Sequence, residues 1–302
     1  MPKLWFCLLP AALALLSSQA SDVDACELAA LGERLFSERN ISLNALSCSG
    51  CHRPDMSYQD GEERPVGRAG LVLPRNTPSL QHVLLYTSYG WDGRNPTLQD
   101  RIKEVLLAPT EINASEESLG LLISDACPGA LNERDNKAAL ALAVSALTRY
   151  VENIAGSSEP WTEQKLSPDQ RRGYQIFKLA GCAVCHPAPT FTDDSFHDIA
   201  LERRRILPQT SGLTSQGQNF VLGIDYGRGN VVSGKEAVYA FRTPTLLDVT
   251  HTAPFMHDGR FHSLREVVDF FQRQKDLGLT NDDERLLIDF ISSLSSTAKG
   301  GP

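Results

Sequence analysis

The sequence predicts a mainly α-helical protein in which two tandem copies of one domain pack around a shared interface. Three observations predict this. A Cys-x-x-Cys-His motif occurs twice, at 48–52 and 182–186. The segment Thr77-Pro78-Ser79-Leu80 reappears 166 positions later, as Thr243-Pro244-Thr245-Leu246. Apolar residues recur with helical spacing around both copies.

The composition is that of an ordinary globular protein. The chain has 302 residues, of which 41% are hydrophobic and 22% are charged, enough for about two domains. The formal net charge of -8 argues against a nucleic-acid-binding protein.

The first twenty residues are typical of a secretory signal peptide. Lys3 supplies the positive charge, residues 4–16 are apolar apart from Pro10, and small residues precede Ser21. The alternative, a membrane anchor, is disfavoured because this run is too short to cross a hydrocarbon core of about 30 Å. We therefore expect a mature chain from residue 21, exported to the periplasm, where disulfides persist.

The two Cys-x-x-Cys-His motifs indicate covalent attachment of c-type haem. Two thiols one helical turn apart can add to the porphyrin vinyl groups, and the next residue turns its imidazole toward the iron. A zinc half-site or a thioredoxin-like pair could explain one motif but explains two in an exported chain poorly. The predicted attachment residues are Cys48, Cys51, Cys182 and Cys185, with His52 and His186 as iron ligands. Cys26 and Cys127 remain, as a structural disulfide or as two inert thiols.

Helical patterns frame each copy. A short amphipathic helix precedes each motif, at 31–36 and 172–177, and further helices are predicted over 137–154, 264–271 and 284–291. Residues 156–163 are rich in Gly, Ser and Pro and predict the linker. The expected domains are 21–155 and 156–302, and the second carries 32 extra residues between 187 and 241 that we expect to form loops.

The face of the iron opposite the histidine decides the chemistry, because a sixth protein ligand makes an electron carrier and an open position makes a site for an oxidant. The helix after the Asp-Gly loop often crosses that face. Val105 and Phe271 stand there at equivalent repeat positions, and neither can bind iron. At least one haem should therefore be open. Glu111 is the carboxylate best placed to move peroxide protons, and Trp91 is a candidate relay between the haems.

The two motifs, Trp91-Asp92-Gly93-Arg94 and the segment 252–259 (Thr-Ala-Pro-Phe-Met-His-Asp-Gly) resemble the di-haem bacterial cytochrome c peroxidase and MauG superfamily. The resemblance implies two cytochrome c-like domains, with a peroxidatic N-terminal haem and a C-terminal haem that passes or stores oxidising equivalents. It also implies an inter-haem role for Trp91 and an acid-base role for Glu111. A calcium ion between the domains would be held by Asn76, Thr252 and Pro254.

Two departures from that family matter. Some members cap the N-terminal haem with a loop histidine, but between His52 and Trp91 only His82 occurs, within the repeated segment. Phe271 stands where the family usually has a Met or Tyr ligand of the second haem. Substitute ligands, none of them favoured, would be Met256, His257, His262, Tyr226 and Tyr239.

These residues predict an exported di-haem peroxidase that uses hydrogen peroxide at the N-terminal haem and draws electrons from a redox protein or protein substrate through the second haem. The uncapped haem favours MauG-like oxidation of a Trp or Tyr in a partner protein. The alternatives are a detoxifying peroxidase, fed by a small cytochrome or cupredoxin, and a non-catalytic di-haem electron carrier.

Overall fold

The computed structural model of the chain describes residues 27–131, 136–155, 161–201, 211–213, 219–221 and 225–296. This part is mainly helical, as predicted. The helices of the first half are α1 (Leu28–Ser37), α2 (Cys48–Cys51), α3 (Leu98–Leu107), α4 (Glu116–Ala126) and α5 (Asn136–Ala155). Those of the second half are α6 (Pro168–Leu179), α7 (Cys182–Cys185), α8 (Leu264–Lys275) and α9 (Asn281–Ser292).

The core of the first half forms where α1 crosses α5. Leu31, Leu35 and Phe36 recur on one face of α1 and are buried there. The two backbones touch at Gly32, where an added Cβ would lie 2.1 Å from the carbonyl oxygen of Ala146. A glycine is therefore required at this crossing.

The second half repeats this crossing with α6 and α9. An added Cβ at Gly173 would again lie 2.1 Å from a carbonyl oxygen, that of Leu286. Here the core is aromatic, and Phe177, Phe191 and Phe290 are fully buried with ring centroids 5.2–6.2 Å apart. Both halves thus place a motif helix, α2 or α7, beside the same kind of helix pair.

Helix ends in the second half carry strong sequence signals. Capping boxes begin α6, α8 and α9, with the pairs Ser167–Gln170, Ser263–Glu266 and Thr280–Asp283. Each pair satisfies two backbone N–H groups that a helix start leaves without partners.

The region predicted as loops contains two short antiparallel pairs. β1 (Phe196–His197) pairs with β4 (Phe241–Arg242), and β2 (Ser211–Leu213) pairs with β3 (Asn219–Val221). Two 3₁₀ turns lie between β3 and β4. Residues 202–210, 214–218 and 222–224 lie outside the described part.

The two halves are in contact through equivalent residues of the repeat. We call this contact the seam, and it includes Asn76, Trp91, Arg242 and His257. The backbone N–H of Asn76 donates to the carbonyl of His257 at 2.7 Å, and the N–H of Arg242 donates to the carbonyl of Trp91 at 2.9 Å. Asn76 and Arg242 are repeat equivalents, as are Trp91 and His257, so the two bonds are related by an approximate two-fold axis. His82 and Asp248, also repeat equivalents, pair across this axis at 2.8 Å.

The Asp-Gly loops of the two copies form close contacts across the seam. A Cβ at Gly93 would lie 2.3 Å from the ring of Phe196, and one at Gly259 would lie 2.2 Å from the carbonyl oxygen of Glu63. Each glycine also has a positive φ, of 64° and 68°. The repeated glycine thus serves both a turn and a close approach between the halves.

Several sequence predictions fall outside the described residues: the signal peptide at 1–20, Cys26 and most of the linker. The domain boundaries at 155 and 156 remain predictions. Cys127 is disulfide-bonded, whereas the four motif cysteines are free. Among the described residues, no helix combines the length and apolarity that a membrane span requires.

Candidate haem sites

Each predicted haem site begins with a one-turn helix, α2 or α7, whose first and last residues are the motif cysteines. Burial raises the pKa of Cys48 to about 12 and that of Cys51 to about 11. In the second site, burial raises the pKa of Cys182 to about 11 and also raises that of Cys185. Both sites therefore present two neutral, unbridged thiols one turn apart, which is the donor arrangement for two thioether bonds.

The two motif histidines are oriented in the same way. The Nδ1 of His52 lies 2.9 Å from the carbonyl oxygen of Tyr58, and the Nδ1 of His186 lies 2.9 Å from that of Phe191. A carbonyl only accepts, so Nδ1 carries the proton and Nε2 is left as the metal-binding nitrogen. Burial lowers the pKa of both imidazoles, which favours the neutral, ligating form.

The carbonyls that orient these rings come from unusual backbone. Tyr58 and Phe191 have φ values of 58° and 51°, in the left-handed region that L-residues with side chains seldom adopt. The same exceptional conformation at both motifs supports a shared task, namely aiming a carbonyl at the ligating ring. These residues fit two c-type haems attached through the motif cysteines, with the Nε2 of His52 and His186 available to the two irons.

Glu111 lies in the first haem site, in the loop after α3. Its side chain keeps some accessible surface, yet burial raises its pKa, and the charges of Arg101 and Arg94 only partly oppose this. The charge of Glu111 in turn contributes to the raised pKa of Cys48 and Cys51. The carboxyl is therefore within electrostatic reach of the motif, as a proton-transfer group for the first haem would need to be.

Trp91 lies at the seam between the two halves. Its indole Nε1 donates to the carbonyl of Asn76 at 2.9 Å, and the backbone of Asn76 continues to His257. Both backbone groups of Asn76 thus connect Trp91 to its repeat equivalent. The relay role of Trp91 stays a prediction.

His82 lies at the contact between the two halves of the chain. Its Nε2 pairs with Asp248 at the seam, and both side chains are largely buried. Burial opposes ionisation of Asp248, but hydrogen bonds from His82 and Ser296 hold its pKa at about 2. This hydrogen bond gives His82 a partner in the other half of the chain.

Four of the five substitute ligands considered for the second haem have other partners. His257 stacks on Phe241 with centroids 3.5 Å apart, and burial lowers its pKa to about 4. His262 is exposed and lies 3.3 Å from Glu63. Tyr226 and Tyr239 pack on each other, with ring centroids 5.6 Å apart. The fifth residue, Met256, has a positive φ of 74°. Phe271 packs against Phe270 in α8.

Asn76 and the two neighbours of Thr252 are hydrogen-bonded to the loop 59–63. The Nδ2 of Asn76 donates to the carbonyl of Glu62 at 2.9 Å. The buried Gln59 donates to the carbonyls of His251 and Ala253, which flank Thr252, and Pro254 follows in a cis peptide. Amide and main-chain carbonyl oxygens are ligand types that calcium prefers, and the calcium site at Asn76, Thr252 and Pro254 stays a prediction.

A buried ion network beside Trp91 was not anticipated from the sequence. Asp92 is fully buried. Its carboxylate accepts hydrogen bonds from Arg94 and forms an ion pair with Arg75 at 2.9 Å. Arg75 also binds Asp225 of the second half at 2.8 Å. The repeated Asp-Gly-Arg pattern was the available signal, because Asp258 and Arg260 form the same pair in the second copy.

A second unanticipated cluster adjoins the second haem site. Among the described residues, the thiol of Cys185, a carboxylate oxygen of Asp193 and an imidazole nitrogen of His197 lie within 4.8 Å of one another. A carboxylate oxygen of Asp193 and the Nε2 of His197 are hydrogen-bonded at 2.7 Å. The cluster shares its cysteine with the haem-attachment motif, so it belongs to that site.

Comparison with known proteins identifies the class. Residues 26–157 match the family model described as di-haem cytochrome c peroxidase. The methylamine utilization protein MauG of Methylorubrum extorquens is 30% identical over 298 residues, covering 89% of this chain and 78% of that protein. The cytochrome c551 peroxidase of Pseudomonas aeruginosa is 25% identical over 279 residues, covering 88% and 78%.

Solved structures agree in fold. The di-haem peroxidase BthA from Burkholderia thailandensis superposes with a TM-score of 0.69 at 22% identity, over 91% of this chain and 89% of that one. A MauG-like protein associated with microbial copper homeostasis gives the same TM-score and identity, over 91% and 92%. The chain belongs to the di-haem cytochrome c peroxidase and MauG family, and the resemblance inferred from its motifs is confirmed. It is a peroxidase-type enzyme, and its family carries two c-type haems.

Proposed function

We propose that the chain is an exported, periplasmic di-haem peroxidase in which hydrogen peroxide reacts at the N-terminal haem and electrons are drawn through the second haem from a protein. Cys48 and Cys51 would hold the first haem and Cys182 and Cys185 the second, with His52 and His186 as iron ligands. When bound, the haems supply the redox-active irons at which peroxide is reduced and oxidising equivalents are held.

Glu111 is assigned the proton transfers. The carboxylate of Glu111 would take a proton from the incoming peroxide and return it to the departing oxygen, as water. The observation that carries this role is a carboxyl whose pKa burial raises, lying within electrostatic reach of Cys48 and Cys51. A raised pKa brings a carboxyl closer to the working pH, where it can both accept and donate.

Trp91 is proposed to relay electrons between the haems, and Asn76, Thr252 and Pro254 to hold a calcium ion at the seam. The indole is fixed by its hydrogen bond to the carbonyl of Asn76, which keeps the ring at the seam. An ion bound to the side chain of Asn76 would also restrain Trp91, because the indole is bonded to the carbonyl of Asn76.

The protein partner is proposed to be oxidised at a Trp or Tyr, as in a MauG-like maturation enzyme. His82 is held by Asp248 at the seam, so this histidine is not available as a cap of the first haem. A detoxifying peroxidase with a capped haem would need reduction before it reacts. Mixing the oxidised protein with peroxide distinguishes an enzyme with an open first haem from one with a capped first haem, because only the first reacts without prior reduction.

Substitution Glu111→Gln tests the central assignment. General acid-base groups contribute about 10²–10⁴-fold to rate, so the second-order rate with peroxide, followed by stopped-flow absorbance, should fall at least about 100-fold. The exposed Glu117, at the start of α4, offers a matched control, and Glu117→Gln should leave the rate unchanged. An unchanged rate in Glu111→Gln would refute the proton-transfer role.

Thermal unfolding provides a check that the variant is folded. Because burial raises the pKa of Glu111, ionising it in the folded state costs stability above that pKa. Glutamine removes this cost while keeping the shape. Glu111→Gln should therefore be at least as stable as the natural protein at neutral pH.

A further inference from the structure

The two copies differ between their first helix and their haem-attachment motif. In the second copy α6 ends at Leu179 and α7 begins at Cys182, so Ala180 and Gly181 alone join them. In the first copy residues 38–47 separate α1 from α2. The first copy therefore contains an additional loop, which we call the 38–47 loop.

The 38–47 loop is bonded to the segment 108–115, which carries Glu111. The Nδ2 of Asn44 donates to the carbonyls of Pro109 and Glu111, at 2.9 and 2.7 Å. The hydroxyl of Ser42 donates to the carbonyl of Ile112, and the N–H of Leu43 donates to the carbonyl of Asn113 at 3.2 Å. The bonds extend along the whole turn around Glu111.

Asn44 makes the bonds closest to the carboxyl. An amide NH₂ has two hydrogens, and both are used here, one on the carbonyl of Glu111 itself and one two residues before it. The N–H of Glu111 is bonded as well, to the carbonyl of Ala108 at 3.0 Å. Both backbone groups of Glu111 are therefore fixed, and only its side-chain torsions remain free.

The second copy lacks both the loop and the carboxyl. The position 166 residues after Glu111 is Leu277, an apolar residue that cannot transfer protons. The bonded loop and the carboxyl therefore occur together in the same copy. A loop needed only to attach haem would be expected in both copies.

We propose that Asn44 is a positioning residue for Glu111, holding its carboxyl at the distance from the first haem that peroxide proton transfer requires. The proposal rests on the proposed role of Glu111. It adds that the loop leading into the haem-attachment motif is bonded to the loop that carries the acid-base group. These bonds would thereby fix the position of the Glu111 carboxyl relative to the bound haem.

The test uses the haem-loaded protein and the variant Asn44→Asp, which keeps the side-chain shape but replaces the donor NH₂ with an oxygen that repels both carbonyls. Leu43→Ala is the matched control, because this side chain is 68% exposed and its backbone bond to Asn113 remains. Asn44→Ala, which removes the amide without adding charge, is measured alongside and should behave like Asn44→Asp.

Amide hydrogen exchange is the first readout and is independent of activity. Loss of the two bonds should speed exchange at the N–H groups of Glu111 and Ala114 about tenfold in both Asn44 variants. The Leu43→Ala protein should stay within about twofold of the natural one. Unchanged exchange in both Asn44 variants would overturn the proposal.

The pH profile of the peroxide reaction is the second readout. A displaced carboxyl should lower the pH-independent rate between about 10- and 100-fold. Water reaching Glu111 should relax its raised pKa, so the acidic limb of the profile should move to lower pH. A general loss of folded protein would lower the rate without moving this limb, and that result would overturn the proposal.

The double variant with Glu111→Gln separates the two hypotheses. If Asn44 acts through Glu111, adding Asn44→Asp to Glu111→Gln should cost no further rate. If Glu111→Gln alone slows the reaction and Asn44→Asp does not, the positioning role is wrong while the proposed function stands. If Glu111→Gln has no effect, the proton-transfer role of Glu111 is wrong and the positioning role of Asn44 fails with it.

Discussion

Asp92 offers a stability prediction whose magnitude follows from the structure. Its carboxylate is fully buried and bound by Arg75 and Arg94. Burial alone would raise its pKa, but the two guanidinium groups hold it at about 2, against an ordinary value of 3.8. At about 1.4 kcal/mol per pKa unit, this difference corresponds to about 2–3 kcal/mol.

The pH dependence follows from the direction of this shift. Because the folded pKa lies below the unfolded value, the stabilisation is fully present above about pH 4 and is lost as the pH falls through about 2. Asp92→Asn removes one counter-charge of Arg75 and of Arg94, but Arg75 keeps Asp225 and Arg94 keeps Glu104. The cost therefore stays below the upper end of the about 3–5 kcal/mol that breaking a fully buried pair costs. We expect the variant to lose about 2–4 kcal/mol of unfolding free energy at neutral pH.

Thermal unfolding of the haem-loaded protein, followed by circular dichroism, measures this loss. For a chain of this length the melting temperature should fall by about 5–12 °C. Asp258→Asn is the matched control, because its carboxylate binds Arg260 within its own copy, and its effect should be smaller. An effect of Asp92→Asn no larger than that of Asp258→Asn, or one as large at pH 2 as at neutral pH, would refute the reasoning.

Two further predictions concern the seam. Gly259→Ala should lower the melting temperature and weaken the contact between the halves, because its Cβ would lie 2.2 Å from the carbonyl oxygen of Glu63. Gly278→Ala is the control, because Gly278 has a similar φ of 64° but lies in open space. Its melting temperature should fall less, by the cost of the backbone strain alone. Equal melting temperatures for the two variants would contradict this. Asp248→Asn, which removes the carboxylate that binds His82, should cost about 1–2 kcal/mol at neutral pH in denaturant unfolding, and the difference should shrink as the pH falls from about 4 through about 2. A difference that is the same at pH 2 and pH 7 would contradict the role of the carboxylate.

The sequence was most informative where chemistry or local periodicity fixes the residues. The motif cysteines and histidines, the helices around 31–36 and 172–177 and the repeat itself were predicted, because each depends on a short pattern. That no histidine caps the first haem stays a prediction, made from the place of His82 inside the repeated segment. In the structure, His82 binds Asp248, the residue at the equivalent position of the second copy.

Contacts between distant segments could not be predicted in this way. That Arg75 binds Asp225, or that Asn44 binds the carbonyl of Glu111, depends on how the halves and loops are arranged in space. No local pattern encodes a side chain that donates to a main-chain carbonyl many residues away. The length difference between the copies, at residues 38–47, was the sequence signal that could have drawn attention to Asn44.

Electron paramagnetic resonance of the oxidised, haem-loaded protein tests most directly whether the iron above His52 lacks a second ligand from the chain. We predict a high-spin ferric signal in the resting protein that changes when one equivalent of hydrogen peroxide is added. Two low-spin signals that peroxide leaves unchanged would contradict the account and indicate a di-haem electron carrier.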